Sequence, residues 1–136
     1  AHLGEISALV LESLMEKDEA LSSDITFIAV DLSNREGLTD LEVKEIQGFL
    51  EERYKVDVIE ASLEELKKKG LYNPEEMGLE DGVLLKIENI NFKWFNTMHF
   101  ETSKFRSAKG AIGVEITIHF KDGKWQVKES KEIWIS

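Results

Sequence analysis

Apolar residues return at helical spacing between residues 5 and 21. Ile6, Leu9, Val10, Leu14 and Leu21 fall near one face, with Glu5, Glu12, Glu16 and Lys17 elsewhere, which predicts an amphipathic helix closed by Ser22-Ser23-Asp24. The pattern then changes period. Ile25 to Leu32 is a nearly unbroken apolar run of branched and aromatic residues, the signature of a strand covered on both faces.

Two further helices announce themselves through their caps. Thr39-Asp40-Leu41-Glu42 and Ser62-Leu63-Glu64-Glu65 both match the capping box, in which the first side chain and the fourth satisfy each other's backbone donors. The first box predicts a helix to about Arg53 with Val43, Ile46, Phe49 and Leu50 inward. The second predicts a helix ending in Lys67-Lys68-Lys69-Gly70, cations at its negative end and a glycine beyond. Val56 to Glu60 reads as a short strand between them. Asn73-Pro74-Glu75-Glu76 predicts one more helical turn, with Asn73 as cap and proline first.

Beyond Asp81-Gly82 the period becomes two, and four strands are predicted at 83–94, 98–106, 111–121 and 124–135. Asp122-Gly123 is a two-residue hairpin signal that sets Phe120 opposite Trp125 and Ile118 opposite Val127. A three-residue loop at Phe95-Asn96-Thr97, which pairs Trp94 with Met98 and Phe92 with Phe100, is preferred over a two-residue loop at Phe95-Asn96, which sets Phe92 opposite His99. Ser107 to Gly110 supplies the middle turn. The expected fold is therefore α+β: an N-terminal helix and a β-α-β-α unit, then a four-stranded antiparallel meander packed on helices. The first two strands flank a helix and are parallel if adjacent. No repeat or linker divides the 136 residues, so one domain, 1–136, is expected.

Charge sharpens this division. Residues 1–82 hold 21 Asp/Glu against 8 Lys/Arg, and residues 83–136 hold 6 against 9, within a net charge of −10. An acidic helical half is joined to a mildly basic sheet. Such a chain repels nucleic acid, and an acidic surface of this kind steers basic partner proteins. Cysteine is absent, which excludes a disulfide framework, a thiolate metal site and a cysteine nucleophile. No apolar run is long enough to cross a bilayer. The opening Ala1-His2-Leu3-Gly4 lacks an initiator methionine, and from this an exported protein with a removed leader is expected ahead of a cytoplasmic one.

Catalytic and cofactor signatures are missing. There is no phosphate-binding loop, no dinucleotide fingerprint and no nucleophile elbow. Gly110-Ala111-Ile112-Gly113 enters a strand and opens no helix, so it offers a phosphate no helix N-terminus. His2, His99 and His119 stand in no metal-ligand spacing, and neither metal nor cofactor is expected. His99 and His119 fall on the sheet face opposite Phe100 and Phe120, as candidate pocket or contact residues. Asp31 ends the apolar first strand, where α/β proteins keep functional acids, although a turn or cap role suits it better. Lys104, Arg106 and Lys109, with Ser103 and Ser107, form a candidate site for an anion or an acidic partner group. The Trp94-Phe95 hairpin tip is a candidate contact anchor.

The residues Gly110 to Gly113, then Val114 to Phe120, the hairpin Lys121-Asp122-Gly123-Lys124-Trp125-Gln126-Val127 and the terminal Trp134-Ile135-Ser136 resemble the end of NTF2-like (cystatin-like) domains, a pattern of small bacterial secreted proteins and lipoproteins. The resemblance covers the last third of the chain. It implies a curved sheet wrapped on helix 5–21, with a ligand-binding cavity in the cone. Strand 25–32 and capped helix 39–53 depart from that family's order, and no catalytic acid/base pair maps onto this chain. The expected function is a non-enzymatic binding or protein-interaction domain with a protein or small-molecule partner. The alternatives are an NTF2-like small-molecule binder or enzyme, and an acidic cytoplasmic inhibitor or immunity-type protein.

Overall fold

The apolar run after the first helix becomes an inner strand of the sheet, with a strand paired on each side. In the computed structural model, which describes residues 3–34, 37–94 and 96–136, it forms β1 (Phe27–Asp31), buried at every position. The remaining elements are α1 (Leu3–Glu16), α2 (Asp40–Tyr54), β2 (Asp57–Glu60), α3 (Leu63–Lys68), β3 (Gly82–Trp94), β4 (Thr97–Ser107), β5 (Gly110–Lys121) and β6 (Lys124–Ile135). α+β is the class. The sheet, however, does not stop at the four-stranded meander expected from the sequence. It has six strands in the order β2-β1-β3-β4-β5-β6, with β1 parallel to both β2 and β3. The reason lies in β1: a strand buried on both faces needs pairing on both edges, and β3 supplies the second.

Two cores divide the sheet's faces. On one side Ile28, Val30, Val83, Leu85, Ile87, Met98, Phe100, Ile112, Val114, Ile116 and Ile118 meet α1 and α2. Burying each such side chain contributes about 1.5–3 kcal/mol. α1 packs on β4, β5 and β6 and also against α2, which itself packs on β2, so even Ser7, Ala8, Leu11 and Ser13 are buried on it. On the other side a smaller cluster of Phe27, Ala29, Ala61, Leu66, Leu79 and Leu84 is roofed by α3 and Tyr72. It covers only the parallel end. The antiparallel strands therefore carry polar residues on that face.

Local chemistry explains the boundaries. The helix expected over 5–21 stops at Glu16, because Asp18 takes a left-handed conformation (φ 47°), and resumes as a 3-10 turn at Glu19–Ser22. Both capping boxes are formed. The helical turn expected at Asn73 is not. Asn73 does cap the turn, its Oδ1 accepting from the N–H groups of Glu75 at 2.9 Å and Glu76 at 3.4 Å, but its backbone pairs with Gly78 and closes the segment as a turn before a helix can form. The Asp122-Gly123 hairpin pairs Phe120 with Trp125 and Ile118 with Val127 as expected. In the β3–β4 hairpin, irregularities shift the register. Phe92 faces Met98, Ile90 faces Phe100 and Trp94 faces Thr97, instead of the three-residue-loop pairing.

Candidate functional site

Side chains of α1, α2 and β6 meet at an open groove of about 280 Å³ lined by Glu5, Ala8, Leu9, Glu12, Glu45, Phe49 and Trp125. The helical repeat aligns them. Glu5, Ala8, Leu9 and Glu12 are spaced three or four apart on α1, and Glu45 and Phe49 are four apart on α2. Phe49, read from the sequence as a core residue, is 39% exposed, because Ile46 and Leu50 take the inward positions of α2 and leave its ring in the groove. Trp125 closes the floor from β6, held edge-on by Phe120 with ring centroids 5.5 Å apart.

The rim is acidic. Arg53 Nε lies 3.1 Å from Glu12 Oε2, and its guanidinium also stands over the Tyr54 ring. Among the described residues no cation pairs with Glu5 or Glu45. Burial pushes the Tyr54 phenol up to about 12, so it stays neutral beside the groove. The combination is an apolar floor of Leu9, Phe49 and Trp125 under three carboxylates.

The basic cluster expected at the end of the second meander strand has a different role. Lys104 is fully buried on the helix side of β4, and its Nζ donates to the main-chain oxygens of Met15 (2.9 Å), Lys17 (2.7 Å) and Asp18 (3.1 Å). Arg106 donates to the carbonyls of Leu79 (2.8 Å), Leu21 (3.0 Å), Ser23 (2.8 Å) and Glu80. These donors tie loops to the sheet and are not free for an anion. The depression that Arg106 lines also holds Glu76 and Glu80, which repel one. Lys109 stays exposed in the β4–β5 turn.

On the polar sheet face, His99 Nδ1 lies 2.9 Å from Thr117 Oγ1, and Nε2 lies 3.3 Å from Glu115 Oε2. Carboxylate, imidazole and hydroxyl are in the order a nucleophilic triad needs. The surrounding backbone is engaged in the β3–β4–β5 ladders, which leaves no free N–H among the described residues there to serve as an oxyanion donor. The arrangement is a cross-strand hydrogen-bonded staple. His119 is half-buried on the same face. Asp31 accepts from the N–H and hydroxyl of Ser33 at 3.0 and 2.6 Å, the turn role that suited it best. Phe95 and the side chain of Trp94 lie outside the described residues. Among the described residues no group of His, Asp and Glu is placed to hold a metal ion, and no helix is long and apolar enough to cross a membrane.

Compared with known proteins, the chain matches no family model, no curated protein and no solved structure. Its groove is the feature that the sequence did not single out. The available signal was Leu9 between Glu5 and Glu12, and Phe49 four residues after Glu45.

Proposed function

We propose that this domain is a protein-interaction module whose groove receives a basic, apolar segment of a partner. The observation that carries this is the ring of Glu5, Glu12 and Glu45 around Leu9, Phe49 and Trp125. Apolar anchors under a charged rim are the anatomy of a peptide-binding groove, and the acidic helical half would speed the approach of a cationic partner. An acidic inhibitor or immunity-type protein is one form such a module takes. A small molecule is the weaker alternative, because the groove is open and near the lower end of ligand-pocket volumes.

The test uses a synthetic amphipathic peptide of lysine and leucine, with a glutamate-leucine peptide as control, titrated into labelled protein and followed by NMR. The expected result is shifts at Leu9, Phe49 and the Trp125 indole, with binding that weakens as salt rises and in Glu5→Lys/Glu45→Lys. Shifts centred elsewhere, or equal binding by that double variant, would overturn the proposal.

A further inference from the structure

The sheet ends on β6, whose outer edge pairs with no other described element. It is 12 residues long, about 40 Å of strand. In an antiparallel ladder, half of an edge strand's N–H and C=O groups point away from its neighbour. Along this edge stand Val127 (37% exposed), Ile133 (43%), Trp134 (45%) and Ile135 (74%). Lysines normally keep such an edge from pairing. Here Lys128 and Lys131 each have an acidic counterpart within the same strand.

Residues equidistant from Ser130 are complementary. Glu129 mirrors Lys131, Lys128 mirrors Glu132, Val127 mirrors Ile133 and Trp125 mirrors Ile135. We infer that β6 is the interface to a second copy of this chain, the two strands pairing antiparallel about a two-fold axis through Ser130. Such a contact is isologous, so a strand must complement its own reversal, and the arrangement about Ser130 meets that condition. Neighbouring registers do not. Moving the axis to lie between Ser130 and Lys131 sets Glu129 against Glu132. Moving it to lie between Glu129 and Ser130 sets Lys128 against Lys131. Axes through Glu129 or Lys131 leave these charges without opposite partners. The sequence thus selects one register and opposes the adjacent ones, as edge charges do where pairing is specific.

Irregularities in β6 fit the same axis. Its pairing with β5 leaves Lys128 and Ile133 as extra residues. Under this axis Lys128 of one strand falls opposite Glu132 of the other, directly beside the extra residue Ile133, so the two irregularities lie next to each other across the interface. Beyond them, Gln126 with Trp134 and Trp125 with Ile135 return to the same two-fold. The product is a continuous sheet across two copies, with the apolar edge residues covered.

Sedimentation equilibrium on the full chain tests it. The wild type is expected to dimerise. Lys128→Glu and Glu132→Lys each place like charges across the axis and are expected to weaken dimerisation about tenfold, from two reversed pairs per dimer. Neither residue has an ion-pair partner within its own chain among the described residues, and both are exposed, so folding is preserved. Mixing the two variants restores opposite charges in the heterodimer and is expected to recover wild-type strength. Glu129→Lys serves as an independent weakening variant. A monomeric wild type at millimolar concentration overturns the inference. So does unchanged dimerisation of the single variants, or a mixture no stronger than either alone.

Discussion

The buried ammonium of Lys104 donates to the main-chain oxygen of Met15 at 2.9 Å, from β4 into the last turn of α1. The final carbonyls of a helix have no partner within it, and α1 has no basic residue in its last turn. A lysine from the sheet supplies the donors instead and fixes where the chain leaves the helix. Lys104→Met keeps most of the packing but leaves these carbonyls without that donor. Losing the burial cost of the charge offsets part of this, so the expected net loss is roughly 1–3 kcal/mol in urea unfolding, set by the carbonyls left without that donor. A change below about 0.5 kcal/mol, the scale of an ordinary surface substitution, would show that the ammonium is not what holds this helix end.

The same lysine makes stability depend on pH. Burial lowers its pKa to about 8 from the ordinary 10.5, with the Asp18 and Glu19 carboxylates opposing the shift. Between these values the unfolded chain holds more protons than the folded one, so this group's contribution rises with pH. The slope is at most about 1.4 kcal/mol per pH unit. Tyr54 acts in the opposite sense further up. Its folded value of about 12 lies above the ordinary 10.0, so its contribution is complete below pH 10 and is lost as pH rises to 12. Urea titrations of wild type, Lys104→Met and Tyr54→Phe across this range should show the lysine-dependent rise vanish in the first variant and the tyrosine-dependent fall vanish in the second.

How far the sequence reveals this molecule depends on the range of each interaction. Thr39, Ser62 and Asp122-Gly123 act within a few residues, and all three features formed as the sequence indicated. The burial of β1 was equally legible, because an unbroken apolar run has no solvent face. Its insertion beside β3 was not, since nothing local tells a buried strand which partner takes its second edge. Lys104 and Arg106 resembled an anion site for the same reason. Their partners at Met15, Lys17, Leu21 and Ser23 lie more than 80 residues away in sequence. Phe49 looked like core, but Ile46 and Leu50 take the inward positions of α2 and leave its ring in the groove.

The two capping boxes give a more local prediction. The Glu42 N–H donates to Thr39 Oγ1 at 3.1 Å, and the Glu65 N–H donates to Ser62 Oγ at 3.2 Å. Thr39→Ala and Ser62→Ala should each cost about 1 kcal/mol, with serine at 39 close to neutral. Ser62 also has a spectroscopic readout. Its backbone N–H and then its hydroxyl hold the Glu65 carboxyl below the usual glutamate range. In Ser62→Ala the Glu65 titration followed by NMR should move upward yet stay below the ordinary value, because the backbone N–H remains. No movement would mean the hydroxyl does not reach that carboxylate.

Trp134 lies across Gly113, so that a methyl group at 113 would run into the indole. The two face each other on β6 and β5, and the ring covers a stretch of strand that has no side chain of its own, as aromatic residues do beside sheet glycines. Alanine normally improves a strand glycine by about 0.5–1 kcal/mol, through lower unfolded-state entropy. Here the sign should reverse. Gly113→Ala must displace the ring, at a cost of about 1–3 kcal/mol for overfilling a packed contact. Trp134→Ala loses the same contact from the other side. If both act through it, the double variant costs less than the two single losses combined, by more than the ~0.5 kcal/mol expected of independent sites. The Trp134 indole N–H resonance should move in Gly113→Ala while its far-UV spectrum stays native. A stabilised Gly113→Ala variant with that resonance unmoved would show that the ring does not depend on the bare backbone beneath it.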